Sequence, residues 1–248
     1  MRLSASCFAV TGLGYAPPWV VNAGLVVGAK STLVIDTGPT AFAAATIHGY
    51  ACAVRPDNEL LVVNTEPHLD HIGGNCFFHD RGVPILGHPG IVRTDEDLAS
   101  DLAEINALVA DPVRREREET HIAYQGTRIV NPTRPLHHDT RLDLGDLSAE
   151  VLLTPGHTQT NASVFVPTEG LLFSGDCVVA GYLPNLTAGG PDDWRTWLIS
   201  LSRIESLTVR LLVPGHGPVL RDDQVRRAIS EVRRVLDEAI ACGRAPTG

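Results

Sequence analysis

Thr65-Glu66-Pro67-His68-Leu69-Asp70-His71-Ile72-Gly73-Gly74-Asn75 is the stretch on which the reading of this chain turns. It sets four metal-ligand side chains, Glu66, His68, Asp70 and His71, within six residues. It follows Leu60-Leu61-Val62-Val63-Asn64, an apolar run of strand length. Pro67 has no N–H to give to a ladder, so the strand stops there and a loop begins. Gly73 and Gly74 let the backbone turn before the next element. A loop leaving a strand end can aim several side chains at one point, and a metal site needs that convergence. One histidine in such a loop is most simply solvated; this run, with related motifs downstream, is not.

Three later segments have the same construction. Thr154-Pro155-Gly156-His157-Thr158, Phe173-Ser174-Gly175-Asp176-Cys177 and Val213-Pro214-Gly215-His216-Gly217 each follow an apolar run. Each puts a His or Asp beside a glycine just past a strand end. From about Asn22 to the last helix, this order and spacing resemble the metallo-β-lactamase superfamily of metallohydrolases. The pattern of that family is H-x-H-x-D-H, then a His, an Asp and a His. One position departs from it: Glu66 stands where the pattern has its first His.

The resemblance implies an α/β chain folded as a four-layer αββα sandwich, a single domain over residues 1–248. It implies two divalent metal ions, zinc first, with iron or manganese as alternatives. Glu66, His68 and His157 would hold one metal, Asp70, His71 and His216 the other, with Asp176 bridging. It implies a hydrolase of a small-molecule ester, thioester, lactone or amide that uses a metal-bridged hydroxide as nucleophile. It implies Asp70 as the catalytic residue, which would take the nucleophile's proton. Asp36, in Asp36-Thr37-Gly38, falls just outside the metal shell, where a carboxylate orients a ligand imidazole. Cys177 has a counterpart ligand in one lactamase subclass, but with Asp176 already present it reads as a buried spectator.

Glu66 changes the expected electrostatics. A carboxylate in place of a neutral imidazole lowers the net charge of the metal shell and makes a poorer Lewis acid. It also hardens the first site, toward iron or manganese. Two other functions on this fold therefore stay open: a non-haem diiron redox enzyme and a metal-binding protein without catalysis.

Composition bounds the partners. The chain has 248 residues, 44% of them hydrophobic, with a net charge of -9. That acidity excludes nucleic acid and anionic membrane as expected partners and leaves a small-molecule substrate. Cys7, Cys52, Cys76, Cys177 and Cys242 have no metal-type spacing, so they read as free thiols of a reducing compartment. With no leader pattern at Met1-Arg2-Leu3 and no bilayer-length apolar run, the expected location is cytoplasmic. Oligomeric state is not legible.

Along the chain, 6–10, 20–27, 32–35 and 83–86 read as strands, and Pro39 opens a helix. Ile47, Tyr50, Ala51 and Val54 recur at helical spacing on it. Residues 93–128 form a helical insertion, either a pocket lid or plain decoration. Leu98, Leu102, Ile105 and Val109 mark one helix there, and 114–119 a solvated helical face. Residues 140–144 open a hairpin, and 162–166 with 171–173 form another. Trp194, Trp197, Leu198, Leu201 and Ile204 lie on one helical stripe, as do Val225, Ile229, Val232, Leu236 and Ile240. Tyr15 and Trp19 fall in a loop that borders the active site in the family, with Trp19 reading equally as a core residue, and Tyr182, in the loop just past Asp176, is the phenol assigned to the substrate. Of the other histidines, His137-His138 is the pair placed to face the pocket.

Overall fold

Apolar runs too short to make helices pair into two six-stranded sheets. The computed structural model describes residues 1–14, 20–187 and 189–245. Tyr15 and Trp19 lie outside these. The first sheet has the order β1 (Cys7–Leu13), β2 (Val21–Val27), β3 (Ser31–Ile35), β4 (Glu59–Val63), β5 (Ile85–Gly87) and β6 (Arg134–Pro135). The second contains β7 (Thr140–Asp143), β8 (Ser148–Leu153), β9 (Ala162–Val166), β10 (Leu171–Phe173), β11 (Leu211–Val213) and β12 (Leu220–Arg221), adjacent in that order.

The sheets stack face to face. Val26, Leu33, Ile35 and Val63 of the first meet Val151, Val164, Leu171 and Phe173 of the second in one buried cluster. The Phe173 ring occupies the space a side chain at position 24 would need, so Gly24 lets the layers close. Helix α1 (Ala41–Val54) covers the outer face of the first sheet; α2 (Leu69–Ile72) and α3 (Asn75–His79) follow β4. The insertion comprises α4 (Asp95–Ala107), α5 (Pro112–Glu116) and α6 (Glu119–Ala123). Helices α7 (Pro191–Glu205) and α8 (Asp223–Cys242) cover the second sheet, burying Trp194, Trp197, Ile229 and Leu236. A buried side chain of that size contributes about 1.5–3 kcal/mol. The layers run αββα.

Local departures from the sequence reading have physical causes. β1 runs on to Leu13 because Gly12, at φ 75°, takes a bulge that shifts the register against β2. The first helix starts at Ala41, because the Thr40 hydroxyl accepts the Ala43 N–H and caps it; Pro39 precedes the cap. Tyr50 and Val54 are exposed, so α1 buries a narrow stripe around Ala44, Ile47 and Ala51. The expected helical face at 114–119 is broken by Glu118, whose φ of 50° separates α5 from α6. β6 and β12 have two residues each, too few to show a period. The five cysteines carry free thiols.

Candidate metal centre

Strand directions bring the motif loops together. β3 and β4 are parallel, so Asp36 and Thr65 leave the first sheet at the same edge. β8 and β10 are both antiparallel to β9, and β11 is parallel to β10. The loops carrying His157, Asp176 and His216 therefore leave the second sheet at one edge too. Backbone bonds join the edges: Ala162 N donates to Thr65 O at 2.7 Å and Asn22 N to Gly215 O at 2.9 Å. The Asn22 side-chain amide donates to the Pro214 and Gly217 carbonyls.

Seven side chains meet where these edges join. Glu66, fully buried, lies with Oε2 2.7 Å from His68 Nδ1 and 3.2 Å from His157 Nε2. Its Oε1 is 3.2 Å from His71 Nε2. His216 Nε2 lies 3.2 Å from Asp70 Oδ2 and 3.3 Å from Asp176 Oδ2. Asp176 also stands 3.5 Å from His71 Nε2 and 3.6 Å from His157 Nε2. Three ligand groups form: Glu66, His68 and His157; Asp70, His71 and His216; Glu66, His71 and Asp176. Within each, the ligand atoms lie within 4.8 Å of one another. A side chain at position 215 would run into Asp176 Oδ1, so glycine there makes room for that carboxylate.

Three of the imidazoles are oriented from behind. His71 Nδ1 faces Asp36 Oδ2 at 2.8 Å, and Asp36 in turn accepts from Thr65 N and Oγ1 at 2.8 and 2.7 Å. His157 Nδ1 faces the Asn185 carbonyl at 3.1 Å, and His216 Nδ1 the Val20 carbonyl at 2.8 Å. An Nδ1–H donated outward leaves the Nε2 lone pair facing the centre, the tautomer a metal needs. The sequence places Asp36 in this role; the two carbonyls carry no sequence signal, because any residue supplies one.

The donor set fits cations. Glu66 Oε1 and Oε2, His71 Nε2 and Asp176 Oδ1 are buried without a hydrogen-bond partner despite their short contacts. Unpaired buried polar atoms are costly, and lone pairs converging on one point are satisfied by a cation there. Glu66 faces both halves of the centre, not only the His68–His157 half the pattern assigns it.

In the metal-free protein, protons balance these carboxylates. Burial works against a charged His157 imidazole, but Glu66 and Asp176 outweigh it and raise it to about 9. Burial is likewise outweighed at His216, which Asp176 and Asp70 lift to about 11. Asp176 is held well below the usual carboxylate range, with His216 and His71 overcoming its burial. The imidazoles are raised, so their contribution to stability is complete below 6.5 and is lost as pH rises through about 9 and then 11. Asp176 is depressed, so its contribution is present above 3.8 and is lost as pH falls further. With chelator present, Tm is expected to be highest between 3.8 and 6.5 and to decline on either side. Metal loading near neutral pH should release more than one proton per chain, measurable by calorimetry in buffers of differing ionisation enthalpy. A chelated protein whose Tm stays flat from 6.5 to 9 would contradict this.

A cleft of about 460 Å³ opens above the centre. His68, Asp70, His157, Asp176 and His216 form its floor, and Tyr182, Arg93 and Tyr124 stand in its walls. The Tyr182 ring centroid lies 6.3 Å from that of His216. His137 and His138 are exposed and line no part of this cleft. Cys177 is buried in the helix-facing core, its backbone carbonyl accepting from Trp197 Nε1 at 2.8 Å, and burial raises its thiol to about 12. It belongs to none of the three ligand groups. The insertion packs Leu98, Leu102 and Tyr124 against Leu69 of α2, which brings it to the cleft as a wall. Arg93 and Tyr124 are the residues that sequence reasoning missed, since nothing local marks which insertion side chains turn inward.

A family model described as the metallo-beta-lactamase superfamily matches residues 16–216. A hydroxyacylglutathione hydrolase of Thermosynechococcus vestitus is 25% identical over 175 residues, 65% of this chain and 57% of that protein. A beta-lactamase-like protein 2 homolog of Caenorhabditis elegans is 33% identical over 82 residues, 33% of this chain and 25% of that protein. The chain thus spans from a quarter to little over half the length of these relatives. Among solved structures, a metallo-beta-lactamase from Pontibacter korlensis superposes with a TM-score of 0.69 at 21% identity, covering 96% of this chain and 97% of its own. A metallo-beta-lactamase family protein from Thermus thermophilus gives 0.70 at 21% identity, covering 97% and 82%. Likenesses at this identity establish the fold. Among the described residues no helix is long and apolar enough to cross a membrane.

Proposed function

Because the chain belongs to the metallo-beta-lactamase superfamily and directs seven ligand-type side chains at one point, we propose that it is a metal-dependent hydrolase of a small-molecule ester, thioester, lactone or amide. The observation that carries this reading is the convergence of the three ligand groups beneath an open cleft. Glu66, His68 and His157 would hold one divalent cation, and Asp70, His71 and His216 a second, with zinc the first expectation. Asp176 and Glu66 each face imidazoles of both sets. Bound there, such cations acidify water and polarise a carbonyl oxygen.

The chain's own groups do the rest. The Asp70 carboxylate, at the cleft floor and kept ionised by His71 and His216 against its burial, accepts a proton from the attacking water. Water oxygen bonds to the carbonyl carbon, the bond from carbon to the leaving group breaks, and Asp70 returns the proton to that group. Tyr182 donates its phenol O–H toward the oxygen on which charge develops. Asp36, Asn185 and Val20 hold His71, His157 and His216 in register while this happens.

Metal analysis of protein purified without chelator or added zinc, with a panel of ester, lactone, thioester and β-lactam substrates, tests the reading. Zinc with turnover of one class is the expected result. Iron with visible absorption and no hydrolysis would replace it with the redox alternative, and a metal-free, inert protein would overturn it. Tyr182→Phe is expected to lower kcat about tenfold with little change in KM, the value of one hydrogen bond made in the transition state. Unchanged kcat on a turned-over substrate would remove Tyr182 from the mechanism.

A further inference from the structure

The walls of the cleft carry both apolar and acidic side chains. Leu69, Ile105 and Leu108 line one side, and Val179, Tyr182 and Leu183 the other. Leu108 is 54% exposed, Leu183 57% and Tyr182 43%. Scattered exposed leucines need no explanation, but apolar side chains gathered on the walls of one concave site form ligand surface. Asp101 and Glu104 of α4 stand in the same wall. Arg93 is the one arginine or lysine among the described residues lining the cleft. Its guanidinium is paired with two carboxylates: Nη2 donates to Asp101 Oδ2 at 2.7 Å, and Asp97 Oδ2 lies 3.7 Å from Nε, which is buried and makes no hydrogen bond. The positive charge of Arg93 in this wall is thus matched by Asp101 and Asp97, and Glu104 adds a further negative charge, so the wall as a whole repels a carboxylate on the distal part of the substrate.

We propose that the substrate enters with an uncharged apolar acyl substituent lying between α4 and the 179–183 loop, and that an anionic substituent in that position is rejected. This rests on the hydrolase reading for the scissile bond, but the selection itself is a property of the walls. It separates the preferred substrate from thioesters and lactams whose distal part carries carboxylates.

Two measurements on the metal-loaded protein test it. The first compares kcat/KM for p-nitrophenyl octanoate, the same ester bearing a terminal carboxylate, and p-nitrophenyl acetate. The octanoate is expected to exceed the carboxylated ester about tenfold, the acetate also falling below it. Leu108→Asp should lower kcat/KM for the octanoate through KM. Glu104→Lys should raise kcat/KM for the carboxylated ester and narrow the ratio. The second measures binding of octanamide and its ω-carboxylate analogue by calorimetry, which reads tail recognition whether or not a bond is cleaved. Tighter octanamide binding without turnover of any ester would overturn the hydrolase reading and leave the tail assignment standing. Equal binding of the two amides, no binding of either, or a carboxylated ester turned over as well as the octanoate, would overturn the tail assignment.

Discussion

Asp176→Ala is expected to lower turnover about a thousandfold, the rate equivalent of the several kcal/mol that bound cations contribute. Asp176 lies within 3.6 Å of His71, His157 and His216, so it touches both halves of the centre. Among the three carboxylates of the centre, only Asp176 contacts both His157 and His216; Glu66 faces the first and Asp70 the second. Alanine would leave a gap between the halves, and metal content should fall with activity. The chelated variant should also be less stable, because the raised imidazoles lose a buried counter-charge; removing one partner of such a pair costs about 3–5 kcal/mol. Asp176→Asn keeps the shape without the charge and should lose metal while keeping more of the fold. Metal content by mass spectrometry, kcat/KM and Tm in chelator give the three readouts. An alanine variant with full metal content and full turnover would remove Asp176 from the centre.

The second large effect is expected from Glu66→His. It restores the usual residue of the family at a fully buried position and raises the net charge of the shell by one unit. Imidazole suits zinc better than a carboxylate does, so the variant grown with several metals present should shift its content toward zinc. The higher net charge should move the acidic limb of the pH–rate profile to lower pH. The geometry adds a cost. Glu66 presents Oε2 to His68 and His157 and Oε1 to His71, whereas an imidazole offers one lone pair. The His71 half therefore loses a neighbour, and total metal per chain is expected to drop even as the zinc fraction rises. Glu66→Gln, equal in size and neutral, separates charge from shape. Unchanged metal content and an unchanged profile in both variants would exclude Glu66 from the metal ligands.

Much of this was legible because the site is built from short contiguous motifs. His68, Asp70 and His71 sit in one loop, and a proline or glycine marks where each strand hands over to it. The sandwich was legible as well, through the resemblance those motifs carry, and strand-length apolar runs with two amphipathic helices fit it. The sequence by itself thus determined the fold, the candidate ligand side chains and the anomaly at Glu66. What only the tertiary structure decided is whatever depends on chain segments far apart in sequence. The direction of β8, β10 and β11 puts His157, Asp176 and His216 at one edge, and cross-sheet bonds bring that edge to Glu66. That approach turns Glu66 from a ligand of one half into a group facing both. Val20 and Asn185 orient imidazoles through backbone carbonyls, which every residue has, so no side-chain pattern could announce them. Arg93 and Tyr124 reach the cleft because the insertion packs on Leu69, a contact set by burial across distant elements and not by local periodicity.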